Sequence, residues 1–277
     1  MTTNSKGVAL VTGASSGIGE AIALAMHDAG YVVYAGARRV DRMATLATRG
    51  IVAIELDVTD DASMEAAVQR IHDEVGRIGV LVNNAGYGSY GALEDVPMSE
   101  ARRQIEVNVF GLARLCQLVI PEMRHARRGT IINISSVGGK FGEPFGVWYH
   151  ASKYAVEGLS DSLALELAPF GVHVVAVEPG GIKTEWAAIS ADHLEATSGA
   201  GYYGVAATKA ARVMRGLNDM KLIGTSEQVA EGVMKILAKR RPKFRYAVAG
   251  GAKPLLVVRK LTNDRIFYSL YRLITRS

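Results

Sequence analysis

Cysteine is nearly absent: Cys116 is the only one in 277 residues. One thiol excludes an internal disulfide framework and a cysteine-built zinc site. Cys116 lies in an apolar run and reads as a small buried hydrophobe. The six histidines show no H-E-x-x-H or other ligand spacing, so no metal is expected. No stretch of about eighteen uncharged apolar residues occurs, which excludes an obvious transmembrane segment. The opening residues, MTTNSKGVALV, lack an extended apolar signal region. These absences point to a cytoplasmic chain. Acids are scarce at one end only. Residues 239–277 carry eleven Lys and Arg against one acid, Asp264, whereas residues 1–238 carry 21 bases and 26 acids. The formal net charge of +5 is therefore a property of the tail. Such a tail can meet phosphates, nucleic acid or an anionic membrane, and its plainer reading is a solvated face.

What is present is an alternation. Short apolar runs at 8–11, 31–35, 51–55, 80–82, 130–134, 172–177 and 245–248 are separated by amphipathic stretches of helical length. Asp60 or Asp61 can cap the helix after the third run, and Pro97 suits the first turn of a long helix over 98–124. Strands alternating with helices imply right-handed βαβ units. The expectation is a single-domain α/β fold: a doubly wound, Rossmann-like parallel sheet of about seven strands, with helices on both faces. Residues 1–250 form that domain and 251–277 a basic amphipathic extension. Within the domain, 185–218 breaks the rhythm; a long loop there suggests a lid over the substrate.

Residues 12–19 read Thr-Gly-Ala-Ser-Ser-Gly-Ile-Gly, between a strand and a helix. Three glycines allow a tight turn whose N–H groups approach a pyrophosphate at a helix N-terminus. Gly13, Ser15, Ser16, Gly17, Ile18 and Gly19 are thus candidate dinucleotide contacts. An acid at the end of the second strand would select NAD. Ala37 stands there instead, followed by Arg38 and Arg39. A guanidinium can grip a 2′-phosphate bidentately, so the cofactor expected is NADP(H), with Arg38 first and Arg39 second. The plainer reading has these arginines opening a solvated helix.

Tyr149 and Lys153 stand four apart in a predicted helix, on one face. An ammonium there would lower the phenol pKa and let the phenol exchange protons with a substrate oxygen. Ser136 or its neighbour Ser135, at the end of the fifth strand, can hydrogen-bond that oxygen. Asn108 sits in an otherwise apolar helix, where an amide needs a reason.

With Thr12-Gly13, Gly17, Gly19, Asp57-Val58, Asn83-Asn84-Ala85-Gly86, Asn108, Ser135-Ser136, Tyr149-His150-Ala151-Ser152-Lys153, Pro179-Gly180 and Thr184 in this order, the chain resembles the short-chain dehydrogenase/reductase family. The motifs span residues 7–184. The resemblance implies that Asp57 and Val58 border the adenine and that Asn84, Ala85 and Gly86 pass the riboses. Pro179, Gly180, Ile182 and Thr184 would wrap the nicotinamide end. It further implies that Ser136 orients the substrate carbonyl, Lys153 anchors the nicotinamide ribose, and Asn108 holds a relay water. The activity implied is hydride transfer between NADP(H) and a carbonyl or secondary alcohol, with Tyr149 as general acid/base, in a homodimer or homotetramer. The alternative is a non-catalytic NADP(H)-binding regulator. On this fold Phe141, Phe145, Val147, Trp186, Tyr202 and Tyr203 would surround an apolar pocket, hinting at a hydrophobic ketone or alcohol. His150 points away from Tyr149 and has no expected role. For the tail, Pro254 opens one helix, and Thr262, Asn263 or Asp264 caps another. Packing on the body is preferred there over contact with a membrane surface, and no nucleic acid is expected.

Overall fold

The seven apolar runs become the seven strands of one sheet in the computed structural model, which describes residues 5–217 and 222–275. These are β1 (Val8–Thr12), β2 (Val32–Ala37), β3 (Val52–Glu55), β4 (Ile78–Asn83), β5 (Gly129–Ile134), β6 (Val172–Pro179) and β7 (Arg245–Val248). Their order is β3-β2-β1-β4-β5-β6-β7, and every pair is parallel. The helices in chain order are α1 (Gly17–Asp28), α2 (Ala44–Thr48), α3 (Asp61–Val75), α4 (Met98–Ile105), α5 (Gly111–His125), α6 (Val147–Leu167), α7 (Trp186–Ser198), α8 (Gly204–Gly216), α9 (Ser226–Leu237), α10 (Ala252–Leu261) and α11 (Asp264–Thr275).

A parallel sheet covered on both faces needs strands that are apolar throughout, and β1 is buried at all five residues. Successive side chains serve opposite cores. Val8 and Leu10 meet Met64 of α3, Leu112 of α5 and Val156 of α6. Ala9 and Val11 meet Ile22 of α1, Leu46 of α2 and Val233 of α9. The strand order reverses between β1 and β4, which opens a crevice at the carboxyl ends of the strands, the place where such sheets bind ligands. The doubly wound sheet expected from the sequence is the sheet found.

Three details differ from expectation. First, β2 runs on to Ala37, pairing Ala37 with Glu55, so Arg38 follows the strand directly. Second, the helix expected over 98–124 is broken by a π turn over Glu106–Phe110, in which the N–H of Gly111 reaches the carbonyl of Glu106. Third, the loop expected over 185–218 is instead a helical hairpin, α7 and α8. Its many alanines favour helix, and Ala191, Ala207 and Ala211 are fully buried where it packs. Residue 218 lies outside the described residues, as do 1–4 and 276–277. Asp60, not Asp61, caps α3, accepting from the N–H of Ala62 at 3.1 Å. In the tail, Pro254 falls in the first turn of α10, and Asn263 caps α11 by accepting from the N–H of Ile266 at 3.0 Å. Among the described residues no helix is long and apolar enough to cross a membrane.

Candidate active site

The crevice is bracketed by the Thr12 hydroxyl. It accepts from the N–H groups of Asn84 and Ala85, both at 3.0 Å, while the Asn84 amide donates to the carbonyls of Thr12 at 2.9 Å and Gly13 at 3.1 Å. The ends of β1 and β4 are thereby fastened together. Gly13 and Gly17 hold φ of +63° and +61°, a region glycine enters without penalty. A side chain on Gly19 would meet the Asn84 amide at 2.4 Å. These glycines are needed by the turn itself, before any ligand is considered. Ser16 stands at the N-cap of α1, but its hydroxyl bonds none of the first-turn N–H groups. That leaves donors and a positive helix end facing the crevice, an arrangement suited to a phosphate oxygen. Arg38 and Arg39 are exposed at the end of β2. Arg38 lies close enough to Tyr87 to act on its phenol. The turn therefore fits a dinucleotide, and the two arginines fit an additional phosphate.

Asp57 spends its carboxylate locally, accepting from the N–H and hydroxyl of Thr59 at 2.9 and 2.8 Å. Val58 is buried against Gly111, where a side chain would strike the Val58 carbonyl. Pro179 ends β6. Gly180 and Gly181 pack on the turn at Gly250: a Cβ on Gly180 would come within 2.0 Å of the Gly250 carbonyl oxygen. Ile182 bridges to Gly224, and the Thr184 hydroxyl accepts from the N–H of Trp186 at 3.3 Å. Thr184 also faces Gly17 across the crevice. Gly86 sits against the Asn108 amide oxygen.

Tyr149 and Lys153 share the buried face of α6, as the spacing predicted. The Lys153 ammonium lies 6.0 Å from the centre of the Tyr149 ring and donates to the Ile134 carbonyl at 2.9 Å. The Ser136 hydroxyl lies beside the phenol, close enough to favour its charged form. Ser136 also accepts from the N–H of Gly138 at 3.0 Å, which holds its hydroxyl in place. The buried Ser135 hydroxyl packs against Gly139 instead. Asn108 works as a clamp. Its amide accepts from the N–H of Tyr87 at 3.1 Å, donates to the Tyr87 carbonyl at 2.9 Å, and donates to Ser152 at 3.0 Å. Ser152 in turn donates to the Tyr149 carbonyl at 2.7 Å. The π turn is what aims the amide inward, and it is buried there.

One electrostatic expectation is corrected. Lys153 was expected to lower the phenol pKa. Burial instead pushes Tyr149 up to about 12, opposed by the Ser136 hydrogen bond and assisted by the charge of Glu143. Burial likewise pulls Lys153 down to about 8, opposed by the charge of Glu157. Desolvation leads in both cases because both groups are cut off from water.

The aromatic surroundings of the phenol differ in part from those expected. Trp186 packs 5.2 Å from Tyr149, and Phe145 meets Tyr203 edge-on at 6.2 Å. Phe145 is held at φ +67°, a strained conformation for a bulky residue that persists only where its surroundings impose it. Val147 and Tyr202 point to solvent, Tyr202 at 96% exposure. Val147 stands at a helix start, and Tyr202, in the turn between α7 and α8, meets only the edge of Tyr203 at 5.6 Å. Phe141 lies under the tail, against Phe267. The residue missed is Tyr90, 5.8 Å from both Tyr149 and Trp186. It sits on an irregular segment after β4, where no periodicity flags a buried ring. His150 is buried, bonded through Nδ1 to the Gly138 carbonyl at 2.9 Å.

Comparison with known proteins bears on this site. The family profile described as short chain dehydrogenase matches residues 7–194. A 3-ketodihydrosphingosine reductase of Bacteroides thetaiotaomicron is 45% identical over 64% of this chain; the match spans 64% of that enzyme, less than two thirds of its length. An NADPH-dependent 3-dehydrocapnine reductase of Ornithobacterium rhinotracheale is 34% identical over 97% of this chain and 98% of its own. Among solved structures, a short-chain dehydrogenase from Streptomyces avermitilis superposes with a TM-score of 0.82 at 34% identity, over 99% of this chain and 98% of the other.

Proposed function

Since the chain belongs to the short-chain dehydrogenase/reductase family and is an oxidoreductase of that kind, we propose that it reduces a hydrophobic ketone with NADPH, through Tyr149. The carrying observation is the Ser136 hydroxyl beside the Tyr149 phenol, with Lys153 one turn along the same buried helical face. The cofactor, when bound, supplies the hydride. Ser16, Gly17, Ile18 and Gly19 would hold its diphosphate at the α1 N-terminus. Arg38 would take the 2′-phosphate, with Arg39 beside it. Pro179, Gly180, Ile182 and Thr184 would border its nicotinamide end. Ser136 orients the ketone oxygen toward the Tyr149 hydroxyl, which donates its proton as negative charge builds there. A phenol pushed to about 12 is protonated at neutral pH, the form that a proton donor needs. The α7–α8 hairpin roofs the pocket through Trp186 and Tyr203. Support for the ketone class comes from the names of the two reductase relatives, and support for NADPH from one of them and from the absence of an acid after β2.

The direct test is NADPH consumption with a panel of hydrophobic ketones, 3-keto compounds included. Turnover of some of them is expected. Tight NADPH binding without any turnover would move the reading to the regulator. Arg38→Ala is expected to weaken NADPH binding by roughly 10- to 100-fold, the worth of a charge-assisted bond, and to leave NADH binding nearly unchanged. Titration calorimetry with both dinucleotides measures this, and equal losses would remove the phosphate assignment.

The pH profile gives another expected result. Lys153 is protonated below its value of about 8 and neutral above it. Its charge favours the phenolate left after proton donation. The rate of reduction should thus be level below pH 8 and fall as pH rises through it. A kcat for reduction that stays level up to the ordinary lysine value of 10.5 would take Lys153 out of the reaction.

A further inference from the structure

The tail has an inner face that is fully used. Phe267 is buried against Phe141 at 5.4 Å, and the Arg259 guanidinium lies 5.1 Å over the Phe267 ring. Arg259 also donates to the Lys140 carbonyl at 3.1 Å and to Asp264 at 2.6 Å. The Tyr268 hydroxyl accepts from the N–H of Gly142 at 3.1 Å. These contacts fasten α11 to the segment that leads into Tyr149.

The outer face is of another kind. Val257 and Leu261 on α10, and Ile266 and Leu270 on α11, are exposed, Leu261 at 79%. Each pair stands one turn apart, so each helix presents an apolar stripe to water. Lys253 and Lys260 flank the first stripe, and Arg265 and Arg272 the second; all four are exposed. The one acid of the tail, Asp264, is already taken by Arg259. We infer that α10 and α11 form a docking surface for an anionic lipid bilayer. Aliphatic side chains would enter the headgroup boundary while the Lys and Arg stems reach out to lipid phosphates. Charge sets the orientation as well. The body, residues 1–238, holds more acids than bases, so an anionic surface draws the tail in and repels the rest.

Other occupants fit less well. Lysine is depleted at protein–protein interfaces, which argues against a second copy of the chain. Nucleic acid would use the charges and leave the exposed Leu and Ile idle. The inference goes beyond the proposed reaction and does not depend on the substrate. Its geometric consequence is that the segment holding Phe141 and Gly142, which leads into Tyr149, lies directly beneath the docked tail.

The test is co-sedimentation of the full chain with vesicles of phosphatidylcholine alone or mixed with phosphatidylglycerol. Binding to the mixed vesicles at low salt is expected to be at least about tenfold tighter than to phosphatidylcholine, and to weaken in high salt. Lys260→Glu combined with Arg265→Glu should lower it by at least about tenfold. Leu261→Asp combined with Leu270→Asp should do the same. Since all four residues are exposed, melting curves should match the parent chain; if the aspartate variant melts early, the charge-reversal variant decides alone. No sedimentation with the mixed vesicles would overturn the inference, as would variants that bind like the parent. So would a dimer in sedimentation velocity that Leu261→Asp dissolves, or duplex DNA displacing the vesicles.

Discussion

Tyr149→Phe should lower kcat for ketone reduction by about 10²- to 10⁴-fold, the usual worth of a positioned general acid, while NADPH affinity and melting temperature stay nearly unchanged. The reason for the split lies in the geometry. The phenol ring packs between Tyr90 and Trp186, and phenylalanine keeps that ring and its contacts. Only the hydroxyl is lost, and its polar neighbour is Ser136. The Ser136 hydroxyl remains fixed by Gly138, so the site does not collapse. The Ser152 bond to the Tyr149 backbone carbonyl, and through it the Asn108 clamp, also survive. Steady-state rates, calorimetric NADPH binding and a thermal melt together read the prediction. A variant that retains most of its rate would mean that another group donates the proton.

The second large effect is on stability. Gly180→Val places a branched side chain where even a single Cβ would lie 2.0 Å from the Gly250 carbonyl oxygen and 2.7 Å from its carbon. Both obstacles are backbone, and they belong to the turn after β7, where Ala249, Gly250 and Gly251 all have positive φ. That turn also accepts the N–H of Gly181 at 3.2 Å. It cannot withdraw without tearing β7 from the end of β6. Overpacking commonly costs about 1–3 kcal/mol, and a clash with fixed backbone should reach at least the upper end. For a chain of this size that is a fall in Tm of roughly 6 °C or more. Gly158→Ala is the control. It is an exposed helical position with nothing within 4 Å of the added carbon, and alanine should stabilise α6 by about 0.5–1 kcal/mol. If both variants melt like the parent, the close approach of the two turns is not what holds this corner.

The sheet was legible because burial on both faces leaves a mark that single residues carry. β1 reads Val-Ala-Leu-Val before Thr12, because a polar group on either face needs a buried partner, which only the Thr12 hydroxyl at the strand end finds. The helical pair Tyr149 and Lys153 was legible for an equally local reason, the four-residue repeat. What stayed hidden depends on contacts distant in sequence. The α7–α8 hairpin lies in a region rich in alanine, glycine and serine whose polar and apolar residues show little periodicity. Its fold is settled by where Trp186 and Leu194 are buried. Tyr90 lies 59 positions before Tyr149, and nothing in either neighbourhood announces that they meet. The phenol pKa was misjudged from spacing alone. Four residues of separation put the two groups on one face, but only the packed structure reveals how completely water is excluded, and that exclusion sets the direction of both shifts.

The π turn at Glu106–Phe110 separates two properties that helices usually tie together. A π turn is the accommodation of one surplus residue, since it closes over five peptide units where the regular spiral closes over four. Shortening that segment by a single position would let the spiral run uninterrupted into Gly111 and leave α5 seated on the sheet as before. The amide at Asn108 would swing away from Tyr87 and Ser152. The surplus residue thus governs where the Asn108 amide points, and the seat of α5 on the sheet does not depend on it.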